Sequence, residues 1–468
     1  MKLFDDPETN RRFGRTQWRM LFATMIGYTL FYFMRKNFSF AMPGLEQDCG
    51  ISKATLGNFL FCGGIVYGLS KFANGVIGDR VNPKKMLCFG LLACTLVNVA
   101  FGFAPQIAAL FGGEPVAKTV AEDGSTLLSP SMAFVWSLGI LLVLNQLFQG
   151  TGFPPCAKLI AFWVPPKELA TKMSVWNTSH SIGGGLVAKI CGVIMGLGVI
   201  GAANQGVGMW RWCFWAMAIL GGLGLLLMIF WLPGTPREEG LPDLPGTEIA
   251  PAPAKADSVA APDANAPTAM KMVFLNPVIL MLGCINFTIN AVRSLVADWG
   301  PTMLQQGKHF TSSDAGTVIM LFEFAGIAGM LFSGWATDRL FAGRAPRLCV
   351  FLMLAAAGLF AAFWFMPAGW AGAAALCAAG FCLYGPQALT GVTATNTATK
   401  RFAGTSIGFI SLFSYVGVSV AGKVFGNLAQ SSGGWRLPLT VSVCVAVAGA
   451  VLFTCLWNAR ANAYGDGK

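Results

Sequence analysis

The sequence predicts an all-α membrane protein with twelve transmembrane helices in two pseudo-symmetric six-helix bundles. Three observations lead to this fold class: the composition, the recurring apolar stretches and an internal repeat. Of the 468 residues, 55% are hydrophobic and only 11% are charged, whereas soluble domains have roughly 25% charged residues. Apolar stretches of about 20 residues, long enough to cross a bilayer, recur along the chain. The lipid bilayer is therefore the first partner that the sequence implies.

The apolar stretches place the spans and the two bundles. Residues 1–18 precede the first span, are polar and basic, and carry no secretory signal. The segment 234–274 is rich in Pro, Ala and acidic residues and cannot bury a core, so we predict a flexible cytoplasmic linker. It joins the bundles 19–233 and 275–458, and residues 459–468 form a cytoplasmic tail. The spans lie near 19–44, 54–78, 86–105, 131–157, 170–200, 210–233, 275–300, 313–336, 347–366, 369–395, 403–427 and 436–458.

The basic residues lie in alternate loops, which predicts the topology. A net charge of +11 could indicate a nucleic-acid partner, but the cations concentrate on one side of the predicted bundle. This asymmetry follows the positive-inside rule, so both termini are expected in the cytoplasm and no nucleic acid is expected. A bacterial inner membrane is the expected location. The cations on that side are Arg11, Arg12, Arg15, Arg19, Arg80, Lys84, Lys85, Lys167, Lys172, Arg339, Arg344, Arg347, Lys400 and Arg401.

Neither a metal nor another cofactor is predicted. Most of the 13 cysteines lie inside spans, which argues against a disulfide framework, and no C-x-x-C pair indicates metal binding. The sequence has no H-E-x-x-H motif and no evident nucleophile–base pair. A membrane enzyme such as a phosphatase therefore fits poorly, and the chain is expected not to be an enzyme.

A motif at the end of the second span recurs at the end of the eighth. Both copies read Gly-x-x-x-Asp-Arg followed by basic residues, with Asp79 and Arg80 in the first copy and Asp338 and Arg339 in the second. Such acids can pair with arginines or face a helix N-terminus. These four residues are predicted to act in gating and stability at the cytoplasmic ends, and not in substrate binding.

Two further pairs repeat in the same order along the chain. Arg35 and Arg293 lie in the first and seventh spans, and Trp210 and Trp435 open the sixth and twelfth. The interval between the tryptophans is shorter, which fits an extra outer loop near 106–130 in the first half. Two six-helix halves of this kind resemble the major facilitator superfamily, whose fold places the substrate at the membrane midplane between the halves.

Charged residues inside the predicted spans are functional candidates, because a charge at membrane depth costs roughly a few kcal/mol. Cations outnumber acids among them, so simple pairing cannot neutralise them all. An unpaired buried cation needs a partner, and an exchangeable anion is the natural one. The intramembrane charges are Arg35, Lys36, Lys71, Lys189, Arg293, Asp298, Glu323 and Lys423.

Helical spacing groups polar residues with these cations. Arginine suits bidentate binding of phosphate oxygens, tyrosine hydroxyls add donors, and lysine adds a point charge, so such groups predict a phosphate site. In the alternative interpretation, Arg35 and Lys36 form interhelix ion pairs with the available acids, and the aromatic residues only pack. The groups are Tyr28, Tyr32 and Arg35 in the first span, Tyr67 and Lys71 in the second, and Asn177 and His180 in the fifth.

At these residues the sequence resembles the organophosphate:phosphate antiporters of the major facilitator superfamily. This family includes hexose-phosphate, glycerol-3-phosphate and phosphoglycerate transporters, a hexose-phosphate sensor and a glucose-6-phosphate transporter of the endoplasmic reticulum. The resemblance covers nearly the whole chain outside the linker. Its most specific stretches are "RKNFSFAMP" and "SVWNTSHSIGGGL", and others are "YGLSKFANGVIGDRVNPKK", "LFQGTGFPPCAKLI", "AVRSLVADWGPTML", "LFEFAGIAGMLFSGWATDRLFAGR" and "LYGPQALTG".

The resemblance implies a role for each candidate. Arg35 and Arg293 would bind the phosphoryl group of the substrate, with His180 near it. The resemblance also implies a salt-bridge cluster between the halves, whose pairing changes on substrate binding and lowers the barrier to rocking. That cluster would be Lys36, Asp298 and Glu323, and the residues lining the cavity would be Lys71, Tyr28, Tyr32, Tyr67, Asn177 and Asn290.

Two departures from the family pattern bear on the substrate. Asn290 stands where glycerol-phosphate transporters have a tyrosine, and Ile407 and Ile410 stand where hexose-phosphate transporters have an Asp and a Lys. The "DWG" at 298–300 is similar to the hexose-phosphate sensor and the reticulum transporter. We therefore expect exchange of a hexose phosphate, such as glucose 6-phosphate, for inorganic phosphate. The alternatives are a glycerol-3-phosphate or phosphoglycerate antiporter, and a sensor that signals to a partner kinase. The resemblance implies a monomer.

Overall fold

The computed structural model describes residues 4–112, 114–120, 126–201, 208–244, 273–397 and 403–458. Within these ranges the chain is almost entirely helical, with one short antiparallel hairpin. The helices are α1 (Pro7–Cys49), α2 (Lys53–Arg80), α3 (Pro83–Gly102), α4 (Ala104–Ala109), α5 (Met132–Gln149), α6 (Phe153–Trp163), α7 (Pro166–Gly201), α8 (Met209–Trp231), α9 (Pro277–Ala297), α10 (Gly300–Lys308), α11 (Ser312–Arg339), α12 (Ala345–Phe365), α13 (Trp370–Thr397), α14 (Ala403–Ser431) and α15 (Arg436–Thr454), and the strands are β1 (Val116–Val120) and β2 (Thr126–Pro130).

Eleven spans in the described chain are long and apolar enough to cross a membrane. Helix α1 is not among them, because polar residues such as Arg35 and Lys36 interrupt its apolar run. It nevertheless packs along α7 and α8 as the first helix of the first bundle. The twelve predicted spans are therefore all present as helices, and the first one differs in carrying two adjacent charges, Arg35 and Lys36.

Three helix boundaries differ from the predicted spans. Helix α1 begins at Pro7, well before residue 19, because the Asp6 side chain accepts hydrogen bonds from the first backbone N–H groups. The fourth span breaks at residues 150–152 and continues as α6. The seventh span ends at Ala297 and is followed by the short helix α10.

The extra outer loop of the first half forms a β-hairpin. Strands β1 and β2 pair antiparallel, with Val116 opposite Pro130. The hairpin packs against the end of α1 at Gly50, whose φ is 69°. A Cβ at Gly50 would come within 2.2 Å of the Leu128 carbonyl oxygen, so only glycine fits this contact. We call this end of the bundle the hairpin end, and the opposite end, where α1 begins, the basic end.

The two bundles meet mainly through α2 against α14 and α7 against α11. Glycines allow close approach on the hairpin side: a Cβ on Gly64 would come within 2.2 Å of Ser419 Oγ, and one on Gly57 within 3.1 Å of the Gly422 carbonyl oxygen. Nearer the basic end of α2, a Cβ on Gly75 would meet nothing within 4 Å. The space between the bundles is therefore closed toward the hairpin end.

The first part of the predicted flexible linker packs on the basic end. Leu241 and Leu244 are buried. The Gly234 carbonyl accepts a hydrogen bond of 2.8 Å from Trp163 Nε1, and Glu239 forms an ion pair of 3.6 Å with Arg19. These contacts contradict full flexibility for residues 234–244, because two leucines and an anchored acid interrupt the polar composition. Residues 245–272 lie outside the described residues.

Candidate substrate site

The orientation of α1 is fixed by amides from α5. Asn145 Nδ2 donates a 2.7 Å hydrogen bond to the Met34 carbonyl, and Gln149 Nε2 donates one of 3.0 Å to the Phe31 carbonyl. Buried amides of this kind must be satisfied, so they hold α1 at one rotation. With that rotation, Arg35 and Lys36 point in different directions, as consecutive helical residues must.

Arg35 lies between aromatic rings. Its guanidinium carbon is 3.8 Å from the centroid of the Tyr67 ring and 5.5 Å from that of Tyr32. Tyr28 packs edge-on against Tyr32 at 5.4 Å. Within the described chain, Arg35 has no ion pair and no hydrogen bond. Its charge is therefore balanced only by ring faces, which are weak partners for a cation.

Lys36 crosses to the second bundle. Its Nζ lies 2.6 Å from Asp298 Oδ1, at the C-terminal end of α9. Both side chains are largely buried, with 16% and 8% of their surface exposed. This pair ties α1 to α9 across the boundary between the bundles.

Glu323 is engaged in the second bundle and not by Lys36. Its Oε1 lies 3.2 Å from Arg293 Nη2, and its Oε2 accepts a hydrogen bond from the Tyr384 hydroxyl. The Arg293 guanidinium carbon also lies 4.4 Å from the centroid of the Tyr384 ring. The three residues expected to form one salt-bridge cluster are thus divided between two separate ion pairs, because Glu323 on α11 meets the arginine of its own half first.

Lys71 forms a second contact between the bundles. Its Nζ donates a 2.7 Å hydrogen bond to the hydroxyl of Tyr415 on α14 and lies 4.4 Å from the Phe153 ring centroid. The Tyr415 ring meets the Tyr67 ring edge-on at 5.0 Å. Lys71 and Arg35 therefore stand on either side of one pair of tyrosines.

His180 on α7 lies beside Tyr32 of α1. Its ring is 5.9 Å from the Tyr32 ring, and its Nδ1 contacts the carbonyl of Asn177 one turn earlier. Close approach of α7 to the second bundle depends on a glycine after His180, since a Cβ on Gly192 would come within 2.7 Å of the Ser312 carbonyl oxygen. The expected position of His180 near the phosphate, and its role there, stay predictions.

The remaining candidates lie in different surroundings. Asn290 Nδ2 donates to Asn286 and, at 3.2 Å, to Ser414 Oγ, so it faces α14 within the second bundle. Asp338 and Arg339 are exposed at the basic end and form no ion pair with the described residues. Arg80 is also exposed and likewise forms no ion pair with them. Of Asp79 only the backbone is described. This motif is therefore separate from the site between the bundles.

Tyrosine marks the site more clearly than the charges do. The chain has 37 phenylalanines but only 6 tyrosines, and all five that the structure describes surround the arginines or Lys71. Tyr384 lies in the stretch "LYGPQALTG", which was used only for the family resemblance, and Tyr415 belongs to no motif considered, so neither was predicted as a site residue. The scarcity of tyrosine was the signal that could have found them. The five tyrosines are Tyr28, Tyr32, Tyr67, Tyr384 and Tyr415.

The charges at the site do not cancel. Two pairs, Lys36 with Asp298 and Arg293 with Glu323, are each neutral. Arg35 and Lys71 have only aromatic and hydroxyl partners among the described residues. The arrangement can therefore accept an anion. No group of three or more His, Cys, Asp or Glu in the described ranges is placed to hold a metal ion.

The fold and this site define the chain as a membrane transporter of the major facilitator class. The Major Facilitator Superfamily model matches residues 24–422, and the chain belongs to that superfamily. A bacterial homologue of the human lysosomal transporter Spinster, solved in an inward-facing, occupied conformation, superimposes with a TM-score of 0.71 over 94% of this chain and 96% of that one at 15% identity. The predicted all-α fold class is confirmed, and the chain is an integral membrane protein.

Within the superfamily, the chain belongs to the organophosphate:phosphate antiporter family. It is 31% identical to a probable hexose phosphate transport protein of Chlamydia pneumoniae, over 98% of this chain and 95% of that protein. It is 30% identical to the glycerol-3-phosphate transporter of Bacillus subtilis (strain 168), over 97% and 95%. It is also 31% identical to the membrane sensor protein UhpC of Escherichia coli (strain K12), over 89% and 87%.

Proposed function

We propose that the protein exchanges a sugar phosphate, with glucose 6-phosphate as the best candidate, for inorganic phosphate. The observation that carries this proposal is Arg35, a largely buried cation without an acidic partner in the described chain. A phosphomonoester has a charge of about −1.5 to −2 near neutral pH. Its oxygens match the planar donor fork of an arginine. The names of the relatives, which include hexose phosphate and glycerol-3-phosphate transporters, support a phosphate ester as the substrate.

Exchange follows from the unbalanced charge. Closing both ends around an empty site would leave Arg35 desolvated without a counter-ion, which is unfavourable. Either anion removes this penalty. The loaded protein can therefore switch between the inward-open and outward-open states, whereas the empty protein switches slowly. A bound phosphate would also compete with Glu323 for Arg293, which lies 3.2 Å away in the present arrangement. Freed from Arg293, Glu323 becomes available to the Lys36 side of the site.

The exchange is tested in proteoliposomes. Vesicles preloaded with phosphate are expected to take up labelled glucose 6-phosphate, and empty vesicles are not. Equal uptake into both would contradict exchange. Competition by glucose 6-phosphate, glycerol 3-phosphate, 3-phosphoglycerate and phosphoenolpyruvate then ranks the substrates, and glucose 6-phosphate is expected to compete best.

A sensor is the second candidate function, because a relative of nearly the same identity is named a membrane sensor protein. A sensor would use the same binding residues and signal to a partner kinase. Binding of glucose 6-phosphate without counterflow would favour the sensor, whereas robust counterflow favours transport.

The orientation in the membrane is also part of this proposal. We infer that the basic end faces the cytoplasm of a bacterial inner membrane, since it carries Arg12, Arg19 and Lys172. The present closure at the hairpin end then corresponds to closure on the outer side. The two aspartate–arginine motifs would act at the cytoplasmic ends, and the protein would work as a monomer.

A further inference from the structure

A small polar cavity lies beside Arg35, on its hairpin-end side. Helix α1 contributes Phe38 and Ser39 one turn beyond Arg35, and α5 contributes Gln146. The contact of Gly64 with Ser419 closes the cavity where α2 meets α14. Its charged and polar lining comes from both bundles: Arg35, Lys36, Ser39, Gln146 and Asp298.

Gln146 has an acceptor that nothing in the described chain uses. Its Oε1 is buried and has no hydrogen-bond partner. The two other amides of this stretch of α5, on Asn145 and Gln149, are both occupied by carbonyls of α1. The stem of Gln146 lies against α2, because a Cβ on Gly63 would come within 3.2 Å of its Cγ. The side chain is therefore held in place with an unsatisfied oxygen.

The surrounding groups restrict what can fill the cavity. An amide oxygen only accepts hydrogen bonds, and a guanidinium only donates them. Lys36 and Asp298 are paired with each other at 2.6 Å. A group that bridges the Gln146 amide oxygen and Arg35 must therefore donate to the oxygen and accept from the guanidinium. A hydroxyl does both, whereas a fully ionised phosphate oxygen can only accept.

We propose that Gln146 contacts the substrate and accepts a hydrogen bond from a hydroxyl on its organic part while Arg35 holds the phosphoryl group. This rests on the proposed function and extends it to the recognition of the non-phosphate half of the substrate. Water has the same chemistry and fills the position when no substrate is bound. Inorganic phosphate has no organic part, so its only hydroxyl donors are the P–OH groups held beside Arg35, and we expect Gln146 to favour the ester.

The test compares two ligands and three proteins by calorimetry on purified protein. The ligands are glycerol 3-phosphate and propyl phosphate, which share a phosphoryl group and a three-carbon chain but differ in hydroxyls. The proteins are wild type, Gln146→Met, which keeps the length and removes the acceptor, and the control Leu144→Met, whose side chain is exposed two residues earlier on α5. We expect wild type and Leu144→Met to prefer glycerol 3-phosphate by about tenfold, and Gln146→Met to lose this preference.

A wild-type protein without preference, or a Gln146→Met protein that weakens both ligands equally, would overturn the proposal. Equal weakening of both ligands would mean that Gln146 only binds water or stabilises the packing of the helices. The measurement needs no transport, so it is independent of the exchange test. Ligand binding with failed counterflow would remove the antiport proposal and leave the role of Gln146 intact.

Discussion

Arg35 and Arg293 occupy equivalent places in the two halves, yet their surroundings are opposite. The guanidinium carbon of Arg35 lies 3.8 Å from the centroid of the Tyr67 ring, and Arg35 forms no ion pair with an acidic residue of the described chain. Arg293 lies 3.2 Å from Glu323, and the same carboxylate accepts from Tyr384. The first half thus presents an uncompensated cation, and the second half presents a neutralised one.

This difference teaches that a repeat in sequence need not be a repeat in charge. Ring faces hold a cation with about 0.5–2 kcal/mol, so Arg35 gives up little when an anion arrives. Arg293 must first leave a buried carboxylate, and breaking a buried pair costs about 3–5 kcal/mol when nothing replaces the lost partner. We infer that the anion binds first at Arg35 and recruits Arg293 in a second step.

The largest expected effect separates the two arginines directly. Arg35→Lys should lower phosphate affinity by about 100-fold, because a point charge does not replace the bidentate fork. Arg293→Lys should lower it by about tenfold, since the second cation is partly occupied by Glu323. Calorimetric titration of phosphate measures both. Equal losses in the two variants would contradict the asymmetry.

Removing the acid should make the second half resemble the first. Glu323→Gln keeps the shape and a hydrogen-bond partner for Tyr384 but frees the Arg293 charge. We expect phosphate affinity to rise by about tenfold, while turnover falls because the anion is released more slowly. The measurement is phosphate titration together with counterflow. A loss of affinity would mean that Glu323 orients Arg293 for the ligand and does not compete with it.

A smaller effect is expected at the pair between the bundles. Lys36→Ala removes the 2.6 Å contact with Asp298. It does not remove any residue that is predicted to bind phosphate. Turnover in counterflow should fall by about tenfold, with phosphate affinity changed by less than about threefold. The double variant Lys36→Ala, Asp298→Ala should recover part of the rate, because it leaves no unpaired buried carboxylate. An affinity loss as large as that of Arg35→Lys would place Lys36 on the substrate instead.

The smallest effect is expected at the hairpin end. A change there should affect anion binding at Arg35 and at Arg293 equally. Gln306 Nε2 donates a 2.9 Å hydrogen bond to Glu46 Oε2 across the bundles. Gln306→Ala should shift the population toward the state open at the hairpin end by about fivefold. Distances between spin labels on the two bundles measure this shift, with Gln47→Ala, an exposed neighbour on α1, as control. An unchanged distance distribution would mean that the glycine contacts alone seal this end.

Much of the fold follows from local features of the sequence. The length of each apolar stretch predicts the spans. Asp6 and Asn276 are N-cap residues, and α1 and α9 begin directly after them. The membrane simplifies this step, since only helices or closed barrels satisfy their backbone groups in it. The break at residues 150–152 (Gly-Thr-Gly) was not predicted, because it lies inside a longer apolar stretch that can cross the membrane as one span.

The sequence by itself determined the twelve spans, the repeat and most of the buried charges, because each of these depends on residue type and spacing along a helix. Lys423, which was assigned to the eleventh span, is exposed in the structure. Only the tertiary structure decided which charge meets which. Both Asp298 and Glu323 were available to Lys36, and the packing of α9 and α11 gave it Asp298 and gave Glu323 to Arg293. The attraction between two opposite charges weakens with distance and strengthens as water is excluded. Both the distance and the exclusion of water depend on how helices far apart in the chain pack together. The unpaired acceptor oxygen of Gln146 also became visible only in the tertiary structure. Its surroundings depend on how three helices pack together, which the sequence alone does not show.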